Sequence, residues 1–197
     1  LVAFLSDGFD AAHPFSRITA RPATAGGPEL WLLGSSGYSG AYAAHLGVGF
    51  SFAHFINPGP GPEVVQFYRD NFQPSQVDGQ PRASAAISVI CADSDDEAER
   101  LAASVGLWRL RLEGGDPGPV PTVERALAHP YTESDRRRME ASRGRSVVGG
   151  PERVRKELEA MAEAYGIDEL IVVTIVHDHE ARLRSYQLLA EACALDS

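Results

Sequence analysis

The sequence predicts an α/β fold on a parallel sheet, and three observations carry that expectation. Four short apolar runs, Leu30 to Leu33, Phe50 to Phe55, Ala86 to Ala92 and Leu170 to Val176, stand out from the rest. A helical pattern follows each of them, and strand-then-helix repetition is how βα units build a parallel sheet. The last run, LIVVTIV, has no polar alternation, as expected of a strand covered on both faces.

Taken in order, the opening LVAFLSDGF reads as the end of an amphipathic helix, with Leu1, Phe4 and Leu5 apolar and Gly8 as its stop. It has neither the basic region nor the cleavage site of a signal peptide, and the chain is expected to be the C-terminal part of something longer. A helix is expected over Ser39 to Leu46, and another over Pro62 to Phe72 with Val64, Tyr68 and Phe72 on one stripe. Ser94 to Glu97, SDDE, fits a capping box, and Leu101, Val105, Trp108 and Leu112 then recur at helical spacing.

Between Glu113 and Arg145 the periodicity lapses into Pro/Gly-rich and charged sequence. Residues 113–145 are therefore expected to form a surface insertion loop with a short helix near Glu133 to Ala141. Pro151 to Tyr165 has proline at its first turn, the stripe Val154, Leu158, Met161 and Tyr165, and Gly166 as its stop. Leu183, Tyr186 and Ala190 mark the final helix. The whole, residues 1–197, is expected to be a single domain.

At 197 residues and 44% hydrophobic composition, the chain is long enough to bury a core. A net charge of −9 argues against nucleic acid or an anionic membrane surface as partner. No apolar run approaches the roughly 18–20 residues of a membrane helix. Cys91 and Cys193 sit far apart in apolar patterns and are expected to be buried free thiols in a reducing cytoplasm.

The most distinctive stretch is WLLGSSGYSGAYAAHLG, Trp31 to Gly47. After a strand and opening a helix, its Gly/Ser corner points unpaired N–H groups and hydroxyls at one spot, with the positive end of the helix dipole behind them. No Gly-Lys-Ser/Thr follows, so it is not a Walker A loop. Gly34, Gly37 and Gly40 recur every third residue, so it is not a G-x-G-x-x-G fingerprint either. Two readings stay open here: an anion site, or a plain tight turn with serine caps.

PELWLLGSSGYSGAYAAHLGVGFSFAHFINP followed by FYRDNFQPS resembles the second half of the bacterial luciferase-like, flavin-dependent monooxygenases. SVVGGPERVRKELEAMAEAYGIDELIVVTIVHDHEARLRSYQLLAE resembles that family's closing βα units. The likeness runs from about Phe15 onward, with its pieces in the same order. It implies a TIM-type (β/α)8 barrel of which this chain supplies the last four βα units, a half-barrel with its site at the strand C-terminal ends. It further implies an enzyme that uses reduced FMN and O2 to oxygenate a small organic substrate, with a flavin reductase or NAD(P)H as electron source. The deazaflavin F420 is the alternative cofactor, and a non-catalytic flavin- or phosphate-binding protein the alternative function.

By the same resemblance, Ser35, Ser36 and Ser39 would contact the FMN phosphate, with Gly37 giving backbone access; the luciferases proper carry glutamate at the position of Ser35. An open half-barrel would expose strand edges and an apolar inner face. Pairing with another copy, or completion by an N-terminal half, is therefore expected. The family's catalytic residues lie on earlier strands, which leaves His54, at the end of the second strand, as the one catalytic candidate here. It would sit at the barrel mouth near the flavin ring, or else be a structural histidine.

The remaining motifs have plainer readings. In HDHE, His177 to Glu180, histidines two apart point away from each other with no third ligand, and Asp178 reads as a helix cap. Val148 to Pro151, VGGP, opens a helix as a glycine cap or an auxiliary phosphate contact. Arg136 to Arg138 reads as a solvated helix face before an anion site.

Overall fold

The computed structural model describes residues 2–5, 9–19, 21, 28–75 and 77–194. Leu1 and the Gly8 stop lie outside the described residues, and the opening helix α1 spans Val2–Leu5. The chain then forms β1 (Trp31–Gly34), α2 (Gly37–Leu46), β2 (Gly49–Ala53), α3 (Gly61–Asp70), β3 (Ala83–Cys91) and α4 (Asp95–Glu113). Beyond these come α5 (Val123–Leu127), α6 (Glu133–Ala141), β4 (Ser146–Gly149), α7 (Pro151–Tyr165), β5 (Leu170–Val173) and α8 (His179–Ala192).

All four strand pairings are parallel: β1 with β2, β2 with β3, and β3 with both β4 and β5. Ser88 is in register with Ser146 of β4 and with Val173 of β5, so those strands flank β3 on opposite edges. Ala85 and Ala86 are likewise shared by β2 and β5. Hence β4 follows β2 along one edge of β3. β4 thus lengthens the edge that β2 begins, and β1, β2, β3 and β5 lie side by side. Among the described residues β1 and β5 each pair with one neighbour only, so the sheet is open, a partial barrel of parallel strands.

Strand alternation sorts the two faces. Phe50, Phe52, Ala85, Ile87 and Val89 point to the face covered by α2, α3, α7 and α8, where Val64, Val65, Tyr68, Val154, Leu158 and Leu188 meet them. Phe50 and Phe52 are fully buried, and each contributes about 2–3 kcal/mol by leaving water. The opposite face carries Ser51, Ala53, Ser84, Ala86 and Ser88, small side chains that fit the inside of a curved sheet. Its larger members Leu33 and Ile171, on the outer strands, are 56% and 47% exposed. Further along β3, Ile90 is covered by Leu101 and Val105 of α4.

Several local expectations are corrected by the packing. Ser94 caps α4 by accepting from the Glu97 amide, but the Glu97 carboxylate turns to Arg100, 2.8 Å away, and the capping box is half formed. Leu112 is exposed. Within 113–145, α6 falls on its expected bounds, while α5, capped by Thr122, was not anticipated. On α8, Leu183 and Tyr186 are exposed, and Ser185, Leu188 and Leu189 face the core. The buried serine has work there: its hydroxyl accepts from the Cys91 amide at 3.0 Å. Cys91 is buried, as expected, but Cys193 is exposed because it caps the last helix rather than packing under it. Among the described residues no helix is long and apolar enough to cross a membrane.

Candidate functional site

The Gly/Ser corner leaves the C-terminal end of β1 and enters α2 within two residues. Ser36 is the N-cap, with extended backbone, and its hydroxyl accepts from the Ser39 amide at 3.4 Å. Ser39 reciprocates: its Oγ accepts from the Ser36 amide at 3.2 Å and donates to the Ser36 carbonyl at 2.7 Å. This is a serine–serine capping box, and it satisfies part of the helix start from within. Gly34 makes it possible, since a Cβ there would overlap the Ser39 side chain.

The box leaves a gap. Gly40 donates to the Ser36 carbonyl at 3.2 Å, but among the described residues the Gly37 and Tyr38 amides have no acceptor. Space above Gly37 is open, with nothing within 4 Å of where its Cβ would stand. The half-buried Ser35 joins the same corner, where its carbonyl accepts from Asn57 Nδ2 at 3.4 Å. Two neighbouring N–H groups of a helix N-terminus, flanked by Ser35 and by the Ser36–Ser39 box, thus stand beside open space at the sheet's C-terminal end. Tyr38 and Tyr42 stand beside it, exposed and stacked 6.2 Å apart.

His54 is placed differently. It shares the face of Phe50 and Phe52, and its ring is buried in the helix layer rather than turned to the sheet's other face. Nε2 donates to the Gly144 carbonyl at 2.9 Å, which makes Nδ1 the acceptor for the Tyr165 hydroxyl at 2.8 Å. Burial lowers its pKa and raises that of Tyr165 to about 12. Both ring nitrogens are therefore held by the protein. No signal near FAHFINP could have announced this lock, since Tyr165 is 111 residues away.

Elsewhere, Asp178 caps α8 by accepting from the Ala181 amide at 2.7 Å. His177 meets the Val120 carbonyl and His179 meets Arg182, so the two histidines have separate partners. Gly150 is the N-cap of α7, and its amide donates to Asp95 Oδ1 at 2.6 Å. That contact was missed because Asp95 reads as part of α4's own acidic first turn. Arg137 and Arg138 pair with Glu133 and Glu113 on the surface.

The family described as luciferase-like monooxygenase matches residues 8–169. The chain belongs to that family. YceB of Bacillus subtilis (strain 168), an uncharacterized protein, is 44% identical over 95% of this chain and 57% of its own length. A protein of Escherichia coli (strain K12) named luciferase-like monooxygenase is 34% identical over 95% of this chain and 56% of its own. The crystal structure of apo-MsnO8 superposes with a TM-score of 0.84 at 40% identity, covering 100% of this chain and 58% of that one. The chain thus spans a little over half the length of the relatives it matches.

Proposed function

We propose that the corner at Ser35, Ser36, Gly37 and Ser39 holds the phosphate of reduced FMN in a flavin-dependent monooxygenase. The observation that carries this reading is the pair of acceptor-free amides at Gly37 and Tyr38 beneath open space. They fit a phosphate: two N–H donors on adjacent residues, the Ser35 and Ser36 hydroxyls, and the helix dipole all favour a compact anion. Ser39 acts through Ser36, holding the cap in place by accepting from its amide and donating to its carbonyl. Bound reduced flavin supplies the electrons for inserting an oxygen atom from O2 into a small organic substrate. A flavin reductase or NAD(P)H would supply those electrons. F420, which also carries a phosphate, would meet the same donors.

Titration of the chain with FMN, and in parallel with riboflavin, tests the reading. FMN is expected to bind more tightly than riboflavin, with Ser36→Ala weakening FMN by about tenfold, the effect of one lost charge-assisted contact, and Gly37→Ala weakening it through the methyl added beside the free amides. Riboflavin affinity is expected to stay unchanged in both variants. Equal FMN affinity in wild type and variants would remove the phosphate from this corner. A second reading, a flavin- or phosphate-binding chain without turnover, is favoured by His54, whose two nitrogens are engaged by Tyr165 and Gly144. Reduced-flavin consumption with O2 separates the two.

A further inference from the structure

The segment between α4 and β4 folds back over α4 and encloses a cleft of about 430 Å3. Its floor is apolar, formed by Ala102, Ala103 and Val105 of α4, Val148 of β4 and Met139 of α6. Gly106 lets α6 settle closely, for a Cβ there would meet Met139 Cε at 2.9 Å. The volume lies in the range of small-molecule sites.

Charge around this floor is unevenly matched. Arg143 and Arg153 have their own carboxylates, Glu140 at 3.1 Å and Glu157 at 2.9 Å. Arg109 and Arg136 also line the cleft, and among the described residues neither makes a salt bridge. Half-buried Arg109 instead donates to the neutral Ser146 hydroxyl at 2.9 Å. Its ionic neighbours are Arg145 and Glu113, and Glu113 is already shared between Arg145 at 2.6 Å and Arg138 at 3.3 Å. Desolvation, with Arg145's charge second, lowers the pKa of Arg109. A guanidinium removed from water beside more cations than anions is a standing cost, and an incoming carboxylate relieves it. Glu99, also lining the cleft and without a salt bridge among the described residues, disfavours a dianion.

We propose that this cleft binds a small organic monocarboxylate, its head between Arg109 and Arg136 and its apolar body against Met139 and the alanines of α4. Guanidinium groups suit a carboxylate because they present paired donors in one plane. The site is separate from the Ser35–Ser39 corner, and its occupancy does not depend on flavin.

Titration with sodium benzoate, followed by amide NMR on the full chain, tests the proposal, with inorganic phosphate as the second arm. Benzoate is expected to give saturating shifts at Gly106, Met139 and Ser146 below about 10 mM, a range reached by weak but specific sites. Arg109→Ala and exposed Arg136→Ala are each expected to weaken it at least tenfold, and Arg109→Lys to weaken it less. Ser36→Ala should leave it unchanged, which keeps a failure here distinct from a failure of the phosphate corner. Absence of saturating shifts, phosphate binding as tightly as benzoate, or undiminished binding in Arg136→Ala would each overturn it. Because Arg136 is exposed on α6, its variant tests the site even if Arg109→Ala fails to fold.

Discussion

Two strands, β1 and β4, end on a glycine and enter a helix within two residues, and they differ in whether a carboxylate of the chain stands at the helix start. At the end of β1 the Gly37 and Tyr38 amides face unfilled space. At the end of β4 a carboxylate of the chain stands at the helix start: the Gly150 amide donates to Asp95 Oδ1 at 2.6 Å, Pro151 offers no N–H, and among the described residues only the Glu152 and Arg153 amides of that first turn have no acceptor. A Cβ on Gly149 would meet Arg153 Cδ at 2.8 Å and Asp95 Oδ1 at 3.0 Å. Both exits have the dipole and the topology of an anion site. What separates them is whether a carboxylate of the same chain has arrived first, and a helix N-terminus reads as a site only when that question has been answered.

The comparison breaks most directly at Gly34. Alanine there would overlap the Ser39 Cβ and Oγ, with backbone close behind, so the corner must open or the strand end must move. We expect Gly34→Ala to cost about 2–3 kcal/mol in urea unfolding, in the range of steric insertions at tight sites. Gly149→Ala meets side-chain atoms that can swing away and should cost less. If the two variants are equally stable, the Ser36–Ser39 box does not depend on the close approach that sets the open exit apart.

A third exit, at the end of β2, is sealed by neutral groups and sharpens the contrast. Removing the Tyr165 hydroxyl leaves buried His54 Nδ1 without its donor, and Tyr165→Phe should cost about 1–2 kcal/mol. His54 also sets a pH dependence. Its folded pKa is lowered from 6.5 by burial, so the unfolded chain takes the proton first. Stability from this group is therefore complete above about pH 6.5 and declines as pH falls below it, levelling off once the folded pKa is passed. Urea midpoints measured between pH 7.5 and 5, conditions chosen around the ordinary histidine range, should show this slope in wild type and lose it in His54→Gln. A slope that persists in the variant would assign it to other groups.

Much of the fold was legible because its signals are local. The bounds of α6 and α7 follow from Thr132, Pro151 and Gly166, residues whose caps act within one turn. Features decided across long separations were not legible. Ser146–Gly149 is too short for a period to register, and it becomes a strand only because β3 continues past the end of β2 and needs a partner. The buried face of α8 is turned by one residue from the expected stripe, with Ser185, polar in the sequence, satisfying the Cys91 amide in the core. At the candidate site, the glycine–serine corner was visible, but the engagement of its Ser36 and Ser39 amides by each other's side chains, leaving those of Gly37 and Tyr38, was a matter of geometry.

Asp95 gives the next smaller effect. Its carboxylate is more than half exposed, yet it stands where an external anion would stand at α7. Asp95→Ala is expected to cost about 1 kcal/mol, the worth of a charge at a helix N-terminus. Added phosphate should then raise the thermal midpoint of the variant more than that of wild type, because the vacated amide of Gly150 can take it. No difference between the two proteins would mean that Asp95 does not stand in for a ligand, and the two exits would differ by shape alone.

Gly37→Ala should perturb the fold least and the open exit most. The residue is the first of α2, has ordinary helical backbone freedom, and nothing lies within 4 Å of the added methyl. Alanine is the better helix former, so stability should stay within about 0.5 kcal/mol of wild type or rise slightly. The methyl nevertheless projects into the space above the free amides, so FMN affinity should fall while urea stability does not. That divergence isolates the ligand from the scaffold. If affinity and stability instead move together, the space above Gly37 belongs to the packing of α2, and the exit of β1 is not where the ligand is held.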